Sequence, residues 1–127
     1  MVQHESSLQI QIIRSISSHP ILSQYVFHIP NGGYRNYREA KKLKSMGVKK
    51  GVSDLFLPYP NILYHGLWQE VKSHKGHISE EQKEWIFKMR KVGYAAEAVR
   101  NLEESVNIFL SYLDNTYIPV WKNCEID

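Results

Sequence analysis

GLWQEVKSHKGHISEEQKEW, from Gly66 to Trp85, is the stretch on which the fold and the chemistry of this chain depend. It begins with bulky apolar residues, Leu67 and Trp68, which predict a β-strand. Side chains of a strand alternate between its two faces, so Glu70 and Lys72 share one face. A carboxylate and an amine side by side where a core is expected indicate a functional site.

A second carboxylate, Asp54, stands at the start of the preceding predicted strand, SDLFLPY. It lies sixteen residues before Glu70, a separation that fits two strands joined by a hairpin-like return. If the strands pair, the two carboxylates meet at one edge, where they repel each other unless a cation lies between them. Oxygen ligands suit Mg²⁺ or Mn²⁺, and Lys72 would then attract a phosphate or orient an attacking water. The alternative is a solvated E-x-K face with Asp54 as a turn residue, which is the commoner meaning of such a pattern.

Two polar residues on predicted helices extend the candidate site. Glu5 lies three residues before Leu8 on the apolar stripe of the first helix, where a carboxylate is unexpected without a partner or a cation. Gln82 lies four residues before Ile86 on the helix that follows the charged strand. Each has a structural alternative, because Glu5 stands where a helix end frays and Ser79 with Gln82 fits a capping box. Both alternatives stay open.

A segment of one charge sign precedes the charged strand. Residues 35–50 carry seven Lys or Arg side chains and a single acid, Glu39, whereas a solvated helix face usually mixes both signs. Tyr34 and Tyr37 are interleaved with the basic side chains, a combination that indicates binding to a phosphate backbone. We expect the contacts to backbone phosphates to come from Asn31, Arg35, Asn36, Lys49 and Lys50.

Composition places the chain among globular proteins. It has 127 residues, of which 43% are hydrophobic and 23% charged, and a net charge of +3. We expect one domain over residues 1–127, with a core of about 5–113 and a tail of 114–127. The sequence contains no apolar run of membrane-spanning length, no signal-peptide pattern and no glycine-rich nucleotide loop. The single cysteine, Cys124, excludes an intrachain disulfide, and we expect an intracellular, reducing location.

The predicted elements follow the order α β α β β α β α, which is typical of an α/β sandwich around a mixed sheet of four or slightly more strands. The first strand is assigned to Tyr25–Pro30, and the first helix is expected to bury the stripe of Leu8, Ile12 and Ile16. In the last helix, the stripe expected to face the core is Leu102, Val106, Phe109 and Leu113. Apolar tail residues are expected to pack on the body of the chain or on a second copy, and they are Tyr117, Ile118, Val120 and Trp121.

Four segments, in this order and spacing, together resemble the VRR-NUC domain of the PD-(D/E)xK nuclease superfamily: HIPNGGYRN, LKSMGVKKGVSDLFLP, GLWQEVKSHKGHISEEQKEW and GYAAEAVRNLEESVNIFLSYL. The resemblance extends from about Glu5 to Leu113 and is greatest to the small standalone members of phages and bacteria. It implies a restriction-endonuclease-like fold. It also implies a metal-dependent endonuclease, in the cytoplasm of a bacterial or phage-infected cell.

The resemblance assigns roles to individual residues. It implies that Asp54 and Glu70 hold Mg²⁺ or Mn²⁺, with the main-chain carbonyl of Val71 as a further ligand. Lys72 matches the catalytic lysine, which orients or deprotonates the attacking water. One departure is Ser53, which stands where the family motif has a proline.

The resemblance also reaches the two helical residues and the assembly. Glu5 matches the acidic residue of the first helix, as a weaker metal ligand, and Gln82 matches the glutamine of the helix after the lysine. A homodimer that cuts branched DNA, such as four-way junctions, is implied as well. Two cuts in a two-fold symmetric junction would suit a symmetric dimer with two sites. Two other functions stay open, namely a non-catalytic nucleic-acid-binding module of the same fold and a nuclease for RNA or nicked duplex.

Overall fold

The structure is a computed structural model in which residues 4–30 and 36–120 are described. Its elements are α1 (Glu5–Ile16), α2 (Leu22–Tyr25), β1 (Phe27–His28), α3 (Tyr37–Ser45), β2 (Leu55–Leu57), β3 (Leu67–Val71), α4 (Glu80–Lys91), β4 (Ala95–Val99) and α5 (Leu102–Leu113). Among these residues, no helix combines the length and the apolar character that crossing a lipid bilayer requires.

The strand β3 lies at the start of the stretch Gly66–Trp85, and it is an inner strand of a four-stranded sheet with the order β1-β2-β3-β4. The pairs β1–β2 and β2–β3 are antiparallel, whereas β3 and β4 are parallel. Parallel neighbours need a crossover connection, which α4 supplies. The helices α1 and α5 pack on one face of the sheet and α4 packs on the other. The predicted α/β sandwich around a mixed sheet is therefore confirmed.

Successive side chains of β4 point to opposite faces of the sheet, and each face carries a part of the core. Ala95 and Val99 point to one face, where they pack with the buried stripe that was predicted for α1. Ala96 and Ala98 point to the other face and pack with Ile86 of α4. All five residues of β4 are buried, as expected for a strand that is covered on both faces. The small alanine side chains let α4 approach the sheet closely.

The helix α5 packs the predicted stripe against the core, but its most buried side chains lie to one side of that stripe. Its fully buried side chains are Ser105, Ile108, Phe109 and Tyr112. Of the predicted stripe, Phe109 alone is fully buried, and the other three members pack half-buried against the core. Polar groups are tolerated here because the Ser105 hydroxyl donates to Gln69 at 2.6 Å and the Tyr112 hydroxyl donates to the Tyr59 carbonyl at 2.7 Å. Hydrogen bonds to internal partners offset the cost of burying a hydroxyl. A prediction from the spacing of apolar residues does not take such bonds into account.

The prediction for the first strand is wrong over part of its length. The stretch Tyr25–Pro30 contains the last residue of α2 and the two-residue strand β1. The helical turn is stabilised by the His19 side chain, whose Nδ1 accepts a hydrogen bond from the Ile21 amide at 3.1 Å. A helical turn with this local contact at its start therefore includes Tyr25, where the sequence predicts the beginning of the strand.

The described part of the tail packs on its own chain. Tyr117 is buried, and its hydroxyl donates to the Glu97 carboxylate at 2.6 Å. The Val120 amide donates to the same carboxylate oxygen at 2.8 Å, and Arg90 donates to the other oxygen at 2.9 Å. Of the two predicted positions of the tail, packing on the body is the one found for Tyr117. Trp121 lies outside the described residues.

The helix α3 lies between β1 and β2 in the chain and buries none of its side chains. It ends as predicted, because Gly47 adopts a φ of +102°, the left-handed conformation that favours glycine after a helix. At its start the Asn36 side chain accepts a hydrogen bond from the Glu39 amide at 2.8 Å. Much of the basic segment is therefore an exposed, capped helix.

The loop that returns from α3 to β2 is fixed by Gly51. Its φ is +86°, and a Cβ at this position would lie 2.4 Å from the backbone carbonyl carbon and oxygen of Glu81 in α4. A side chain here would collide with backbone, which cannot move aside cheaply. This close approach between the loop and α4 sets where β2 begins, and with it the position of Asp54.

Replacing Gly51 by alanine should lower the free energy of unfolding by about 2–5 kcal/mol, because a left-handed alanine is combined with a backbone collision. The matched control is Gly47→Ala, where φ is +102° but nothing lies within 4 Å of the added Cβ. That variant should lose only the conformational cost of about 1–2 kcal/mol. Chemical denaturation of both variants measures the difference, and equal losses would contradict the close packing of Gly51 on Glu81.

Candidate metal and nucleic-acid site

Asp54 and Glu70 face each other across the β2–β3 pair. Leu55 pairs with Gln69, so the antiparallel register continues to Asp54 opposite Glu70. The Val71 amide donates to Asp54 Oδ2 at 2.8 Å, which holds this carboxylate against β3. The structure thus brings the two acids together, as their sixteen-residue separation predicted.

Asp54 is also held by β1, the neighbouring strand on its other edge, and by the residue that follows β1. Its main-chain carbonyl accepts the Ile29 amide at 2.9 Å, and Nδ1 of His28 lies 2.8 Å from the same oxygen. Its carboxylate and its backbone are therefore held by different strands. The orientation of the carboxylate is set by the fold before any ligand binds.

The Glu70 side chain is buried in an unfavourable electrostatic setting. It is 2% exposed, and no described residue hydrogen-bonds to its Oε1. Burial, and after it the neighbouring Asp54 carboxylate, raise the pKa of Glu70 to about 10. The charge of Glu5 adds to this increase, and the charge of Lys72 partly opposes it. Without a cation, Glu70 therefore holds a proton at neutral pH, and a bound cation would favour its ionised form.

Lys72 follows β3 directly and lies on the same face of the sheet as Glu70. Its amide donates to the Val99 carbonyl at 2.9 Å, which extends the pairing of β3 with β4. The residue is only 7% exposed, and a lysine at this depth calls for an anionic neighbour. Its charge lowers the pKa of Glu70 and so partly opposes the effect of burial.

Gln82 combines the two roles that the sequence leaves open. Its Oε1 accepts the Ser79 amide at 2.8 Å and its own amide donates to Ser79 Oγ at 3.1 Å, which completes a capping box at the start of α4. Its Nε2 donates to Glu70 Oε2 at 3.4 Å. One side chain therefore anchors the helix and contacts the acid pair.

Glu5 lies at the margin of this cluster. It is the first residue of α1 and is exposed, so it does not extend the buried stripe as predicted. The carboxylate accepts a hydrogen bond from the Ser73 amide at 3.4 Å, in the turn that follows Lys72. The helix is formed at this residue, so the alternative of a frayed end is not what the structure shows. Its negative charge nevertheless raises the pKa of Glu70.

The acid pair alone does not form a complete ligand set. Across residues 4–30 and 36–120, no three His, Cys, Asp or Glu side chains come together as they would around a metal ion. His74 and His77 are exposed in the loop before α4. Two carboxylates, with main-chain oxygen and water in the remaining positions, suit a cation such as Mg²⁺, which keeps several of its waters.

Sequence reasoning missed Arg100, which fixes the turn between Lys72 and α4. Arg100 follows β4, and its Nη1 donates to the carbonyls of Ser73 at 2.8 Å and Gly76 at 2.7 Å. Ser73 in turn presents its amide to Glu5. An arginine after a strand carries no pattern that would reveal this clamp, which depends on the parallel pairing of β3 with β4.

The predicted phosphate-binding residues fall into three groups. Lys49 and Lys50 are exposed in the loop before β2. Asn36 is exposed as well, but its side-chain oxygen is committed to the cap of α3. Asn31 and Arg35 lie outside the described residues. An open depression of about 450 Å³ on α3 is lined by Tyr37, Arg38, Lys41, Lys42 and Ser45.

Comparison with known proteins gives the class to which this chain belongs. The family model of the VRR-NUC domain matches residues 3–101. A solved structure described as a VRR_NUC domain protein matches with a TM-score of 0.79 at 26% sequence identity, over 90% of this chain and 91% of the other. Among the curated proteins, none matches significantly. The fold is therefore of nuclease type. The chain belongs to the VRR-NUC domain family.

The raised pKa of Glu70 predicts that the metal-free protein loses stability as the pH increases. Its ordinary pKa is 4.5 and its pKa in the folded chain is about 10. Between these values the unfolded state binds fewer protons, so the free energy of unfolding falls with increasing pH, by at most about 1.4 kcal/mol per pH unit. Glu70→Gln, which resembles the neutral form, should remove this decline. Melting temperatures measured in chelator across the neutral range test it.

Glu103→Gln is the matched control for this experiment, because Glu103 is an exposed acid in the first turn of α5. This variant should keep the pH dependence of the wild type. Parallel pH profiles for wild type and Glu70→Gln would contradict the buried, protonated state of Glu70.

Proposed function

We propose that this protein is a metal-dependent endonuclease that hydrolyses phosphodiester bonds in DNA. The observation that carries the proposal is the buried pair of Asp54 and Glu70, with Lys72 beside it on the same face of the sheet. This pair is costly to ionise without a cation. Membership of the VRR-NUC domain family supports the same chemistry.

The residues that would hold the cation are Asp54, Glu70 and the main-chain carbonyl of Val71. Glu70 Oε1 is buried without a hydrogen-bond partner among the described residues, as an oxygen reserved for a ligand would be. Glu5, already engaged at Ser73, would act at most as an outer contact. When bound, Mg²⁺ or Mn²⁺ would activate a water as nucleophile and offset the charge that develops on the phosphate.

The protein side chains would orient the reacting groups. Asp54 is fixed by the Val71 amide, and Glu70 is oriented by Gln82 Nε2. Lys72, buried on the same face as Glu70, would orient the attacking water and favour a phosphate through its charge, or in its neutral amine form would accept the proton of the water. The site would thus contribute positioning and electrostatic stabilisation, with few protein groups that change protonation.

Phosphate contacts by the basic segment would bring DNA to this site. Lys49 and Lys50 lie a few residues before Asp54, and α3 presents further basic side chains to solvent. Such contacts position DNA without reading its sequence. Because Asn36 caps α3, it would contribute less than the lysines. The alternative of a non-catalytic binding module would use the same basic surface but would not need a buried acid pair.

A homodimer acting on branched DNA, such as a four-way junction, is the assembly that we propose. Large apolar side chains are exposed at the end of the β2–β3 hairpin opposite Asp54, including Ile62 at 80% and Leu63 at 74%. Ile118, 77% exposed, lies three residues after Asn115, whose side chain accepts the Ile62 amide at 2.8 Å. Exposed apolar groups of this kind mark interfaces.

Lys72→Ala should lower DNA cleavage by at least about 100-fold, because it removes the group proposed to act on the water. DNA binding in chelator should change little, since the basic segment is untouched. Gel assays with four-way junction, linear duplex, single strand and RNA, each with Mg²⁺, Mn²⁺ or chelator, measure both the loss and the preferred substrate. Lys75→Ala is the control, because Lys75 is exposed in the adjoining turn.

Near-normal cleavage by Lys72→Ala would contradict the role of this lysine. Tight DNA binding without cleavage of any substrate by the wild type would favour the non-catalytic module. Preferential cleavage of RNA would support the proposed hydrolysis of phosphodiester bonds but would identify RNA, and not DNA, as the substrate.

The proposed dimer should dissociate when Ile62 and Leu63 are both replaced by aspartate, because charges would enter an apolar contact. Sedimentation velocity would then show a monomer. The control Ile10→Asp should remain dimeric, because Ile10 of α1 is already 52% exposed and lies away from the proposed contact. Truncating the tail is a poorer test, because Tyr117 belongs to the core of its own chain. A monomeric wild type that still makes paired cuts in a junction would contradict the dimer.

A further inference from the structure

A row of aromatic side chains crosses the sheet on the face that α4 covers in part. Phe27 of β1, Phe56 of β2 and Trp68 of β3 are successive cross-strand partners, so their side chains share a face. Phe27 and Phe56 meet edge to face, with ring centroids 6.0 Å apart. Phe56 and Trp68 are stacked at 4.0 Å with an interplanar angle of 20°. We call these three residues the aromatic row.

The aromatic row is supported at one end and open at the other. Trp85 of α4 lies edge-on to Trp68 at 5.2 Å, and Tyr94 lies 5.9 Å from Phe56. The sheet contacts of α4 are made chiefly with β3 and β4. Phe27, on the edge strand, is consequently 49% exposed. The row thus ends in a ring that a ligand can reach.

The acids of the proposed catalytic site lie in the next row of the same face. Asp54 is two residues before Phe56, and Glu70 is two residues after Trp68. Two residues of a strand span about 7 Å, so the rings and the carboxylates are neighbours on one surface. A phosphate held at the acids would place an adjoining base within reach of the rings.

Stacking on aromatic rings suits bases that are not already stacked in a duplex. In a continuous double helix the faces of the bases are covered by neighbouring bases, whereas a flap, a branch point or a single strand exposes them. The exposed basic charge of Lys49, Lys50 and α3 complements a phosphate backbone. This charge attracts paired and unpaired DNA alike, so it would not by itself distinguish unpaired nucleotides from duplex.

On the basis of the proposed nuclease function, we propose that Phe27, supported by Phe56, stacks with an unpaired nucleobase next to the scissile phosphate. The aromatic row thereby selects DNA with unpaired nucleotides over continuous duplex. Stacking tolerates every base because each base has a π face, so the preference is for structure and not for sequence.

The test compares the binding of a flap DNA and a continuous duplex of the same sequence, in chelator so that cleavage plays no part. Phe27→Ala should weaken flap binding about tenfold, the equivalent of one base stack, and leave duplex binding unchanged. Phe27→Trp should restore flap binding, whereas Phe27→Leu, apolar but without a π face, should not. A 2-aminopurine in the flap should be quenched by the wild type and by Phe27→Trp only.

Two control variants separate stacking from other effects. Tyr25→Ala removes a similarly exposed ring (42%) that pairs with Tyr59, and Tyr59 packs on the α1 and α5 side of the sheet. Flap binding by this variant should equal that of the wild type. Neutralising Lys49 and Lys50 together should weaken flap and duplex binding alike and reduce the dependence on salt. Melting temperatures of all variants show that each is folded.

Equal losses on flap and duplex, no loss on either, or full flap binding by Phe27→Leu would overturn the proposal. Conversion of a wild-type dimer to a monomer by Phe27→Ala would overturn it too, because the aromatic row would then be a contact between copies. Failure of the nuclease function gives a different result, in which Phe27-dependent flap binding persists but the wild type cuts no DNA with Mg²⁺ or Mn²⁺. A wild type that binds no DNA would overturn both.

Discussion

The burial of the Glu70 carboxyl group beside Asp54 is the constraint on which the site depends. A carboxylate removed from water is strongly unfavourable unless it is paired or protonated. Lys72 supplies part of the compensation, but Glu70 still has a raised pKa. The Asp54 side chain contributes to this increase, through a hydrogen bond to the Glu70 carboxyl group and through its charge. The strand register places the two acids together, so Glu70 is protonated in the absence of a cation, and a bound cation would favour its ionised form.

Contacts remote from the acids hold this unfavourable arrangement in place. The close approach of Gly51 to α4 positions the start of β2, and the capping box of Gln82 positions the start of α4. Arg100 secures the turn after β3 from the end of β4. The Gly51 contact joins the segment before β2 to α4, the Arg100 contact joins the turn after β3 to the end of β4, and Gln82 also donates to Glu70 of β3. The crossover that makes the sheet mixed thus also supplies several of the contacts around the site.

The acid pair, the lysine and the mixed sheet could be predicted because they follow from strand alternation and from spacing along the chain. Gln82 was ambiguous for a physical reason, since a capping glutamine and one that reaches a neighbouring acid occupy the same position. The stripe predicted for α5 packs on the core, but the burial of Ser105 was not predicted, because its partner lies on β3 and periodicity does not detect a satisfied hydroxyl. Gly51 and Arg100 were missed because their roles exist only after distant segments pack. The aromatic row was equally hidden, since its residues lie on three separate strands.

Whether Asp54 and Glu70 bind a divalent cation is tested most directly by anomalous diffraction from crystals grown with Mn²⁺. The predicted result is one strong peak within about 2.0–2.6 Å of a carboxylate oxygen of each acid, and its loss in Glu70→Gln crystals. A peak confined to the exposed His74 and His77, or none at saturating Mn²⁺, would contradict a metal site at the acid pair.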